Sequence, residues 1–145
     1  MNVALSKLGF AAAVVGLAVL ASRGELLSPN PFVIAVQVLA LLFMIWARIT
    51  FGMRSFHAAA NTTEGELITS GPFAIVRNPI YSSMTLFAWA GVAVHLNLVS
   101  AALGLLILAG MLVRIFAEER ALRAEYKDAY EAYCKRVKRL VPFVF

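Results

Sequence analysis

Apolar residues come in long runs separated by short polar stretches, a pattern that predicts membrane helices rather than the half-polar elements of a soluble domain. Residues 3–22 form a run broken only by Lys7, whose stem lies near enough to the end for its ammonium to reach the interface. A cleaved signal peptide is the alternative, and the length of the run favours a retained span. Ser28-Pro29-Asn30-Pro31 predicts a turn, because each proline lacks a donor and biases its predecessor away from helical angles. A second span covers residues 32–53, with Arg48 near the interface. From Ile80 to Val113 no formally charged residue occurs, a stretch longer than one span and slightly short of two. Its polar break at His95-Leu96-Asn97 predicts a tight helical hairpin with spans 80–94 and 98–117, and a shallow re-entrant hairpin is the alternative.

Composition agrees. The chain has 145 residues, 61% apolar and 14% charged, with a mean hydropathy of +0.82. A soluble domain is nearer half apolar and a quarter charged. The length allows one domain, residues 1–145. The net charge of +5 would suggest nucleic acid on a soluble protein, but here it reads as topology, with no nucleic-acid partner expected. With the N-terminus inside, Lys7, Arg48, Arg54, Arg77, Arg114 and every later Lys and Arg fall on the cytoplasmic side, and only Arg23 lies outside. The expected fold is therefore all-α. It is an integral membrane bundle of four transmembrane helices with a C-terminal amphipathic helix, both termini cytoplasmic, in the plasma membrane of a prokaryote. The single cysteine, Cys134, excludes a disulfide framework and a Cys-rich metal site, and no metal is expected.

Polar chemistry concentrates in two segments, the cytoplasmic loop 54–79 and the tail 114–145, which flank the hairpin at its cytoplasmic ends and should meet in space. The loop is long for a mere link and reads as a binding loop, with disorder as the alternative. Its second half, from Leu67 to Tyr81, carries turn formers at Ser70, Gly71, Pro72, Asn78 and Pro79. In the tail, Leu122, Tyr126, Tyr130, Tyr133 and Val137 recur at helical spacing, which predicts an amphipathic helix over 118–138 lying at the membrane surface. Arg114 and Glu118 are neighbours on a helix face, and Glu119 projects along the tyrosine stripe. A carboxylate buried near hydrocarbon needs a compensating cation and is a functional candidate. Ordinary ion pairs, Arg114 with Glu118 or Glu119 with Arg123, explain the same pattern. His57 reads as a solvated interfacial residue and His95 as a turn residue at the opposite membrane face.

Taken in order, Thr69, Gly71, Pro72, Phe73, Arg77, Asn78, Pro79 and Tyr81, then the hairpin, then Arg114, Glu118, Glu119 and Leu122, then Tyr130, Tyr133, Val137, Arg139 and Pro142 carry a resemblance. The C-terminal half is similar to the isoprenylcysteine carboxyl methyltransferase family, which is related to the membrane phospholipid N-methyltransferases. The resemblance implies methyl transfer from S-adenosylmethionine, released as S-adenosylhomocysteine, to a lipophilic acceptor, with membrane lipids as surroundings. No G-x-G-x-x-G follows a strand, so no Rossmann domain is expected. The implied cofactor residues are Thr69, Gly71, Pro72, Arg77, Asn78, Pro79, Tyr81, Glu118 and Glu119, and the implied catalytic residues are Arg114 and Glu118. Where the family often has His, this chain has Asn78, which can hydrogen-bond but cannot titrate, so the position reads as a binding one. The resemblance implies carboxyl O-methylation of a prenylcysteine-like acceptor, which needs no base. Phospholipid N-methylation is the alternative, with Glu118 or Glu119 as base candidates. A small transporter and a non-catalytic scaffold are rivals from other classes.

Overall fold

A computed structural model describes residues 3–52 and 66–145. Among the described residues four helices follow one another: α1 (Val3–Ser22), α2 (Pro31–Phe51), α3 (Pro79–Val94) and α4 (Leu98–Arg136), with a 3-10 turn at Gly71–Ala74. His57, Arg54 and the first part of the expected loop lie outside the described residues.

Helix boundaries follow local chemistry. Asn30 caps α2 by accepting from the Phe32 amide, and Pro31 sits where a missing N–H costs nothing. Asn97 caps α4 in a reciprocal box with Ser100, so the hairpin turn satisfies its own backbone. Gly52 ends α2 at φ 65°.

α1 packs along α4, α2 along α3, and α3 bridges the two pairs. Gly9 and Gly110 face each other where α1 meets α4, and a Cβ on either would strike the backbone of the other. Close helix contact through small residues is how bundles associate without a hydrophobic driving force between them. Ala13, Leu20, Ala88, Val92, Ile107 and Met111 form the core. Gln37, hidden in an apolar run, is buried and donates to the Leu26 and Phe87 carbonyls at 2.8 and 3.2 Å, tying α2 to α3 and to the turn after α1. Large apolar side chains such as Leu8, Leu39 and Leu105 point outward, as hydrocarbon surroundings require.

The all-helical expectation holds, with α1, α2 and α4 long and apolar enough to cross a membrane. α3 has 16 residues and is shorter than those three. The expected separate amphipathic helix over 118–138 is corrected. α4 runs past Ala117 without interruption and ends at Arg136, because no proline or glycine between Arg114 and Arg136 stops it. It breaks instead at Lys127, whose φ of 44° is a strained conformation for a residue with a side chain. The Arg123–Glu131 ion pair, 2.7 Å, spans the break.

Candidate active site at one end of the bundle

The start of α1, the end of α2, the start of α3 and residues 114–119 of α4 lie at the same end of the bundle, and the break at Lys127 turns the last helical segment back across it. Val76 and Lys138 form a short parallel bridge, with the Arg77 amide donating to the Lys138 carbonyl at 2.7 Å and the Asn78 amide to the Arg139 carbonyl at 3.1 Å. The loop and the tail therefore meet, as their flanking positions predicted. Tyr133, buried, donates from its hydroxyl to the Phe73 carbonyl, and Phe73 stacks on Phe51 at 5.6 Å.

Two carboxylates adjacent in sequence are treated differently. Glu119 is 1% exposed and its oxygens are taken. Oε1 accepts from Arg77 Nε at 3.2 Å and Asn78 Nδ2 at 3.0 Å. Oε2 accepts from Arg139 Nε at 3.1 Å and Nη2 at 3.0 Å. Arg77 Nη1 also donates to the Cys134 and Val137 carbonyls, at 3.1 and 2.9 Å, and so holds the end of α4. Asn78 donates to the Arg139 carbonyl as well, at 3.2 Å. Its side chain is spent on this clasp rather than on capping α3. A buried carboxylate is tolerable here because charge-assisted hydrogen bonds replace its lost water.

Glu118 instead keeps 26% of its side chain exposed. Its Oε1 accepts from the Tyr81 hydroxyl at 2.6 Å and lies 3.1 Å from Arg114 Nε. Arg114 Nε also reaches the Tyr81 hydroxyl at 2.6 Å, and its guanidinium lies over the Phe10 ring of α1, 4.9 Å from the centroid. The i, i+4 spacing of Arg114 and Glu118 gave this pair in advance. The alternative pairing of Glu119 with Arg123 does not occur, since Glu119 takes Arg77 and Arg139 and Arg123 takes Glu131.

The remaining expected residues lie nearby in the chain. Gly71 adopts φ +57°, and a Cβ there would sit 3.1 Å from Thr50 Oγ1 and 3.6 Å from Trp46 Nε1, so the position favours glycine on both counts. Pro72 and Pro79 are buried at the starts of the 3-10 turn and α3, and Thr69 is half-buried just before the turn. His95 is at the other end, with Nδ1 3.1 Å from the Gly91 carbonyl. Arg139, absent from the expected site, is central to it. Its guanidinium lies between the rings of Phe116 and Phe145, 4.8 and 4.9 Å from their centroids.

No curated protein and no solved structure matches the chain. The family model described as phospholipid methyltransferase matches residues 32–129, from the start of α2 through both carboxylates to just past the break in α4. Covering more than half of the sequence, that match makes the chain a member of the phospholipid methyltransferase family, a family of membrane methyltransferases.

Proposed function

We propose that the protein transfers a methyl group from S-adenosylmethionine to the headgroup amine of a membrane phospholipid, at the end of the bundle that carries Glu118. Bound there, the cofactor supplies an electrophilic methyl carbon on a sulfonium. The residues present suit such a zwitterionic nucleotide. Glu118 offers a partly exposed acceptor for an ammonium or ribose hydroxyl. Thr69, Pro72, Pro79 and Tyr81 would complete that wall. Arg77, Asn78 and Glu119 would act as its frame, since their polar atoms already serve the clasp.

The observation that carries the reading is the partly exposed Glu118 carboxylate, held in one orientation by Tyr81 and Arg114. An ammonium must lose a proton before its nitrogen has a lone pair, and Glu118 can accept that proton. An anionic acceptor would meet a like charge at the same place. The prenylcysteine-like carboxylate expected from the resemblance is the second reading, favoured by Arg114, a buried cation that could pair with it. The rest of the work is positioning a nucleophile in a dry site.

The test is to supply cofactor labelled in its methyl group to the protein in phospholipid nanodiscs and treat the extracted lipid with mild alkali. Label on an amine survives, whereas label in a methyl ester leaves as volatile methanol. Glu118→Gln should lower kcat by about 10²- to 10⁴-fold. Volatile label would overturn the amine assignment, and unlabelled lipid would overturn transfer to a phospholipid.

A further inference from the structure

The clasp holds more positive charge than it neutralises. Arg77 and Arg139 both pair with the single carboxylate of Glu119, which leaves an excess cation in a largely buried setting, with the two arginine side chains 8% and 17% exposed. Such an excess is costly unless an anion offsets it. Arg77 is largely committed, to Glu119 and to two carbonyls. Arg139 is not. One edge of its guanidinium, Nε and Nη2, faces Glu119 Oε2, while among the described residues Nη1 has no hydrogen-bond partner. Its planar fork is held between Phe116 and Phe145, so little side-chain freedom remains to be lost when an anion binds.

What adjoins Arg139 is apolar. Leu140, Val141, Pro142 and Phe145 form one wall of a cavity of about 610 Å³, whose other walls include Phe43 of α2, Leu86 and Trp89 of α3, and Leu108 and Leu112 of α4. α2 and α4 each pack on α3, which makes the cavity a furrow along α3 between its two neighbours. Its volume falls within the range of about 300 to 1,000 Å³ common for small-molecule pockets. Phe145 belongs to both features, since its ring covers Arg139 and lines the furrow. The Ser82 hydroxyl donates to the Leu140 carbonyl at 2.7 Å and fixes that wall to α3. A guanidinium edge beside a hydrocarbon-lined furrow is the complement of one molecule type, an anionic headgroup on an acyl chain.

We infer that Arg139 binds the phosphodiester of a phospholipid, with one acyl chain of that lipid lying in the furrow against Phe145. Arg139 is beyond the residues matched by the family model. The inference rests on the amine-methylation reading for its purpose, though not for its measurement, because it concerns binding alone. The same cation could instead take the cofactor's carboxylate, and the arms of the experiment separate the two sources.

Native mass spectrometry of the detergent-purified full chain would compare retention of phosphatidylethanolamine with that of a long-chain primary amine of matched chain length. The wild type should prefer the phospholipid by about tenfold or more, the scale of a charge-assisted hydrogen-bonded pair. Arg139→Gln should erase that preference, and any fall in calorimetric affinity for S-adenosylmethionine should be smaller than the loss of lipid preference. Arg139→Lys keeps a charge for Glu119 but not the fork, and should lower the preference severalfold, so it carries the test if the glutamine variant does not fold. A wild type without preference, or a preference unchanged in either folded variant, overturns the inference. So does a cofactor affinity that falls about tenfold in Arg139→Gln while the lipid preference stays. A wild type that retains phospholipid but labels no lipid removes the proposed reaction and leaves this site standing.

Discussion

The two ends of the bundle use the same residue types for opposite purposes. At the hairpin end, Glu25 accepts from Arg23 Nε and Nη2 at 2.9 and 2.8 Å and from Asn97 at 3.1 Å, and Ser100 and His95 close the turn. That ion pair is local in sequence, and its arginine is 40% exposed. The Arg23 hydrogen bond holds Glu25 below the usual carboxylate range, but water stands ready to replace it. At the site end, Glu119 draws its partners from Arg77 and Arg139, distant in sequence on opposite sides, into a setting where water cannot substitute. An exposed pair decorates a turn, whereas a buried one decides how three segments meet.

The sharpest way to break this contrast is Glu119→Ala. With the carboxylate gone, two guanidiniums face each other at the junction of loop, α4 and tail, and the expected cost is about 3–5 kcal/mol. Thermal unfolding in detergent would read it, with the tail becoming protease-sensitive first. Tyr81→Phe comes next. It removes the hydroxyl that bonds both Glu118 and Arg114 at 2.6 Å, and should cost about 1.5–3 kcal/mol, the range for hydrogen bonds to charged groups. If the variant were as stable as wild type, Glu118 would be held by something other than this triad.

Legibility in the sequence follows the same division. Uncharged runs, the prolines Pro29 and Pro31, and the polar break at residues 95–97 placed α1, the start of α2 and the hairpin closely, because membrane helices obey length and are stopped by turn residues. Arg114 with Glu118 was readable from their spacing. The partners of Glu119 were not, since a contact across 42 residues leaves no periodicity to detect. The segments around it were nonetheless expected to meet, on topology alone. The break at Lys127 has no proline or glycine to announce it. Its cause is tertiary: the last segment must turn for Tyr133 to reach Phe73 and for Val76 to pair with Lys138. Gln37 looked like part of an apolar run, because its two acceptors are carbonyls, which any sequence supplies.

Two smaller effects test the quiet end. Asn97→Ala removes the side-chain acceptor for the Val99 and Ser100 amides and one donor to Glu25, and should cost about 1 kcal/mol, the usual value of a cap. Glu25→Gln is expected to change stability too little to resolve, despite two short contacts to Arg23. The glutamine keeps an acceptor for Asn97, and the freed guanidinium is hydrated where it stands. Equal losses for Glu25→Gln and Glu119→Ala would show that the ion pairs at both ends bear load alike. The assignment of the active site to one end would then lose its energetic basis, because geometry, not burial, would be all that distinguishes the two carboxylates.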